Sequence, residues 1–143
     1  MDFIMTAKTP PPGHPKDEDE TAKRCFNEGV IANSAGDHAA ASEAFTEGLR
    51  ISKSVELQSA LYVSRCGALQ IMGRWEEALK DAIECQKLRP SWSRTFECRA
   101  ACLDGMGRRK EADASRSLSE ALAALKQDPK NEADASRSLS LPT

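Results

Sequence analysis

Histidine is nearly absent from the 143-residue sequence, with His14 and His38 its only two, and aromatic residues amount to 5%. So small a stock leaves no imidazole base set beside a nucleophile and an orienting third group, and no enzymatic activity is expected. Long apolar runs are missing too: none approaches the ~20 residues of a membrane helix, and Met1 to Lys8 carries Asp2 without an apolar stretch of signal-peptide length. Neither sign of charge predominates. Residues 1–20 hold five acids and two lysines, and the remainder holds 18 basic and 17 acidic groups. A nucleic-acid footprint needs clustered Lys and Arg with readable aromatics, so neither nucleic acid nor a membrane is an expected partner.

Cys-x-x-Cys pairs are likewise absent. The five cysteines, Cys25, Cys66, Cys85, Cys98 and Cys102, are odd in number and lie inside helical patterns, which argues against a disulfide framework and for a reducing compartment, the cytosol or the nucleus. Neither histidine is spaced against them as a metal ligand. Cys98 and Cys102, four apart on one helix face, read as small core residues, and neither metal nor cofactor is expected.

What is present is a chain 40% hydrophobic and 29% charged, enough for one domain with a continuous core. Residues 1–19 are Pro-rich and acidic, too poor in apolar surface to offset their ordering entropy, and are expected to form a disordered tail. Beyond them Gly-x-x-x-x-Ala occurs as Gly36 to Ala41, Gly73 to Ala78 and Gly107 to Ala112, at offsets of 37 and 34 residues. Each copy separates two helical patterns, so the glycine stops a helix in a tight turn and the alanine makes a close helix contact. Closing prolines, Pro90 and Pro129, end the second and third units. These patterns predict helices over 21–34, 38–51, 55–72, 75–88, 92–106 and 109–126.

A period near 34 residues, an inter-helix glycine, a small residue five later and a closing proline together resemble the tetratricopeptide repeat over about residues 21–130. The resemblance implies an all-α, right-handed α-solenoid of three helix-turn-helix repeats at 20–130, followed at 131–143 by a capping helix or a flexible tail. Two departures stand out. The first junction has three extra residues, which a backward extension of the third helix through Val55 to Gln58 absorbs. In the last helix polar Arg116 and Ser119 fall at packing positions, so the stripe Ala114, Leu118, Ala121, Leu122 and Leu125 predicts a shifted register. Glu111 to Ser119 is also repeated identically as Glu132 to Ser140.

In this family the first helix of each pair lines a concave groove that holds peptides. Carried over, the lining is Lys23, Phe26, Val30, Asn33 and Ser34, then Ala60, Val63, Ser64, Gly67 and Gln70, then Arg94, Glu97, Cys98, Ala101 and Asp104. Leu61 to Ala68, Pro90 to Arg94 and Phe96 to Ala101 are similar to the co-chaperone subgroup, which grips acidic chaperone tails with a two-carboxylate clamp. The clamp positions are here Phe26, Val30, Ser64, Arg94 and Cys98, of which only Arg94 keeps a charge. The resemblance thus implies an adaptor that takes a peptide with an apolar anchor at Phe26, Val30 and Val63 and an acidic neighbour near Lys23 and Arg94. Two other readings are a heat-shock chaperone co-factor with a non-standard clamp and a self-associating structural subunit. Separately, Arg137 to Pro142 resembles the phosphoserine ligand of 14-3-3 proteins, with Ser140 as the phosphosite.

Overall fold

Successive stretches of the chain coil into helices wherever apolar residues recur at three- and four-residue spacing, and each stops at a glycine or a short polar break. The computed structural model describes residues 15–127. The helices are α1 (Pro15–Ser34), α2 (His38–Ile51), α3 (Val55–Ile71), α4 (Trp75–Leu88), α5 (Ser93–Gly105) and α6 (Arg109–Gln127), and no strand occurs among the described residues. They pair as three hairpins, an all-α solenoid of helical repeats. α1 starts at Pro15, six residues before its expected start at 21, so residues 15–19 of the expected disordered tail are helical, and residues 1–14 of that tail lie outside the described residues. Asp17 and Glu18 in its first turn favour the dipole, and Asp19 Oδ1 accepts from the Lys53 amide at 3.0 Å, tying this turn to the next hairpin junction.

One turn geometry closes all three hairpins. Gly36, Gly73 and Gly107 have φ of 87°, 77° and 80°, the left-handed region where a side chain is strained. The next residue's amide reaches back to the helix, with Asp37 to Ala32 at 2.9 Å, Arg74 to Leu69 at 2.8 Å and Arg108 to Leu103 at 2.8 Å. Asp37 then caps α2 by accepting from the Ala40 amide at 3.1 Å, and Ser54 caps α3 by accepting from Leu57 at 3.2 Å. The extra junction residues are absorbed as expected, with α3 beginning at Val55.

The core runs along the stack in overlapping clusters. Ala41, Phe45, Leu61 and Ala68 form the first, with Phe26 and Leu57 against it. Cys66, Leu69, Ala78, Ala82 and Cys102 form the second, and Ala100, Leu103 and Ala112 the third. Glycine at 29 is required by the first cluster, because a Cβ there would lie 2.3 Å from Phe45 Cε1. Full burial of Leu61 contributes about 1.5–3 kcal/mol.

The expectation for the last helix is corrected. Its inward face is Ala112, Ser115 and Ser119, all buried, with Leu122 half-buried. Leu118 and Leu125 are 50% and 59% exposed, and Ala114 and Ala121 share their outward face. The register is therefore the unshifted one counted from Gly107. Ala112 is locked against Ala100 and Leu103, and small serines suit the close approach that follows. Arg116, expected at a packing position, instead reaches Asp104 at 2.9 Å. Prediction: Leu118→Ser shifts unfolding free energy by no more than ~0.5 kcal/mol, whereas Leu61→Ala costs about 2–5 kcal/mol, both read by urea denaturation.

Candidate functional site: the inner helix face

Curvature follows from which helices touch. α1 comes close to α3 and α3 to α5, whereas the backbones of α2 and α4, like those of α4 and α6, nowhere approach within 8 Å at Cα. The first helices of the hairpins therefore form a close inner layer and the second helices splay outside it. The residues expected to line the groove lie on that inner layer, but they are not equally available.

Lys23, Val30, Ser34, Arg94, Glu97 and Ala101 are exposed, and Ala60, Ser64, Gly67, Gln70 and Cys98 are half-buried. Val63, expected in the apolar patch, is 6% exposed and belongs to the core. Phe26 is half-buried with its ring 6.0 Å from that of Phe45, so it offers only an edge. Val30, at 42% exposure, is what remains of the patch.

Several polar groups are already engaged. Asn33 Oδ1 lies 2.8 Å from His38 Nδ1 across the first turn, which makes His38 a latch of the hairpin. Gln70 Nε2 donates to the Cys98 carbonyl at 3.3 Å and stitches α3 to α5. Asp104 is paired with Arg116, and Glu97 accepts from Ser119 Oγ at 3.3 Å. Lys23 faces Glu20 at 3.8 Å with both side chains 61% exposed, a solvated pair worth little. The guanidinium of Arg94 pairs with no carboxylate among the described residues. Ser140, the 14-3-3-like motif and the repeated segment 132–140 lie outside the described residues.

Sequence reasoning missed the opposite side. Where α2 and α4 splay, a cleft of about 490 Å³ opens between Ser42, Thr46, Tyr62, Lys80 and Glu84. At its floor Arg65 holds Asp81 through two hydrogen bonds of 2.8 and 2.6 Å and donates to Thr46 Oγ1 at 2.9 Å. Burial pushes the Asp81 carboxyl upward against the opposing pull of Arg65, and the hydrogen bond to Asp81 raises Arg65 in turn. The pair spans 16 residues, a separation that no local pattern reveals. Among the described residues, no His, Cys, Asp or Glu group is arranged to hold a metal ion, and no helix is long and apolar enough to cross a membrane.

No protein-family model matches the chain. Heat shock protein STI1 of Saccharomyces cerevisiae is 32% identical over 95 residues, 66% of this chain and 16% of that protein. Protein STIP1 homolog of Dictyostelium discoideum is 32% identical over 106 residues, 74% of this chain and 17% of its own length. The chain thus spans a small part of these relatives. Among solved structures, the second TPR of Spaghetti (RPAP3), bound to HSP90 peptide SRMEEVD, superposes with a TM-score of 0.67 at 23% identity, covering 73% of this chain and 94% of that one. The Arabidopsis OM64 TPR domain superposes with a TM-score of 0.70 at 16% identity, covering 77% and 88%.

Arg65→Met leaves Asp81 buried without its partner and is expected to cost about 3 kcal/mol at neutral pH; Arg65→Met with Asp81→Leu recovers most of it. Without the guanidinium the Asp81 carboxyl rises further, so protonation relieves the variant. Its deficit against the wild type shrinks as pH falls from neutral toward about 4, as denaturation at a series of pH values will register.

Proposed function

We propose, from the premise that this chain is a tetratricopeptide-repeat domain similar to those of co-chaperones, that it is an adaptor binding a peptide segment of a partner protein along the inner face of α1, α3 and α5. The observation that carries this reading is the inner helix layer itself, which presents exposed Val30 and Arg94 and has Arg94 unengaged by any described carboxylate. An unneutralised guanidinium beside small half-buried residues suits an acidic side chain with an extended backbone, and Val30 with the edge of Phe26 suits one apolar anchor. The five cysteines of the described helices, all unpaired, suit a reducing compartment, the cytosol or nucleus.

A second reading takes the ligand to be a heat-shock chaperone tail. It is supported by the similarity to STI1 and by the RPAP3 neighbour, whose bound peptide carries two glutamates and an aspartate. Against strong binding of that kind stand Phe26, Val30, Ser64 and Cys98, which supply no charge at the clamp positions, and Phe26 is committed to Phe45. Each charge-assisted hydrogen bond forgone is worth about 1.5–3 kcal/mol.

The test is an NMR titration with an acidic peptide carrying one apolar residue, alongside SRMEEVD in free and amidated forms. Binding of the first is expected to shift Val30, Ser64, Arg94 and Cys98, to be indifferent to amidation, and to weaken about 10-fold or more in Arg94→Ala. Tight binding of SRMEEVD that requires its free carboxylate would make the chaperone-tail reading the correct one. Absence of shifts with every peptide would sink the inner-face assignment.

A further inference from the structure

Three thiols meet where α3 passes α5. Cys66 and Cys102 are fully buried with their sulfurs 3.6 Å apart, and Cys98, one turn earlier on α5, packs against the same cluster while keeping partial exposure on the inner face. The Gln70 amide lies over them, its Nε2 3.3 Å from Cys66 Sγ and 3.2 Å from Cys102 Sγ. Cys85 and Cys25 stand apart: Cys85 Sγ is 3.3 Å from Thr95 Oγ1, and Cys25 is buried on α1. The cluster has no arrangement that would hold a metal ion.

We propose that Cys98, Cys66 and Cys102 form a peroxide-responsive thiol site in which Cys98 is the entry residue and Cys66 the resolving one, the product being a disulfide that ties α3 to α5. Accessibility selects Cys98, since Cys66 and Cys102 are sealed from solvent. The Cys66 S–H and nearby Arg94 draw the Cys98 thiol below its usual range against the cost of burial, and the Cys66 S–H lowers the sealed Cys102 too, so exposure is what separates the two. Cys66, surrounded by both α5 sulfurs, is pushed the other way and keeps its proton longest.

The chemistry is complete with hydrogen peroxide as oxidant. The Cys98 thiolate attacks one peroxide oxygen, the S–O bond forms as the O–O bond breaks, and the departing hydroxide takes a proton to leave as water. Cys66 then attacks the Cys98 sulfur, the S–S bond forms, and the S–OH oxygen leaves as a second water with the Cys66 proton. Overall, two thiols lose two protons and two electrons to one peroxide. Cys102, already 3.6 Å from Cys66, can take over the bond by thiol–disulfide exchange that releases Cys98. A cross-link between adjacent first helices fixes the curvature of the inner layer. Its effect on ligand binding rests on the peptide-binding reading, but the bond itself does not.

The full-length chain, treated with hydrogen peroxide, alkylated and digested, is expected to lose two of its five thiols to one intramolecular disulfide mapping to Cys66–Cys98 or Cys66–Cys102, reversed by dithiothreitol. Cys98→Ser is expected to retain all its remaining thiols under the same exposure. Cys66→Ala, with helicity verified by circular dichroism, is expected to accumulate a Cys98 sulfenic acid captured by dimedone, and Cys85→Ser to oxidise like the wild type. A disulfide that involves Cys25 or Cys85, an intermolecular one, oxidation unchanged in Cys98→Ser, or no thiol loss at all overturns the proposal. Because mass mapping needs no peptide ligand, its failure is distinguishable from a failure of inner-face binding.

Discussion

Everything in this molecule depends on how closely two helices approach just after each inter-helix glycine. Ala41, Ala78 and Ala112 are fully buried, each five residues beyond a glycine at positive φ, so a larger side chain at any of them would overpack the helix contact. A left-handed residue turns the chain back at a set angle and the alanine fixes the rotation of the helix that follows. Three copies of one local geometry then stack without further instruction, because each hairpin has an apolar side that only a neighbour can cover.

That constraint overrides the apolar pattern of the last helix. By hydrophobicity alone α6 would turn Leu118 and Leu125 inward, yet Ala112 sets the rotation and puts Ser115 and Ser119 inside. The serines are tolerated because they are small, and Ser119 finds Glu97 as a partner, so its hydroxyl does not raise the full cost of burial.

The same stacking divides polar residues between the two faces. On the outside, splayed helices leave a cleft whose floor is closed by Arg65 and Asp81, a pair between α3 and α4 of one hairpin reinforced from α2. On the inside, polar side chains are mostly spent on the fold: Asn33 on the first turn, Gln70 on the α3–α5 seam, Asp104 and Glu97 on α6. Arg94, exposed on the same face, pairs with no carboxylate among the described residues.

Among the described residues the sequence by itself determined the helices, five of them to within a residue while α1 begins six residues before its expected start, and the three turns, because those depend on local spacing, glycine backbone freedom and alanine size. The groove positions came from the resemblance to the repeat family, carried over unit by unit onto α1, α3 and α5. Tertiary structure alone decided which of them are free. Val63 and Phe26 are apolar residues at groove positions, yet Val63 is buried and Phe26 packs its ring against Phe45. Arg65 with Asp81, Cys66 with Cys102 and Arg116 with Asp104 join residues 16, 36 and 12 apart. Such pairs exist because stacking brings distant turns into contact, and a pattern read along one helix carries no trace of the helix that will lie against it.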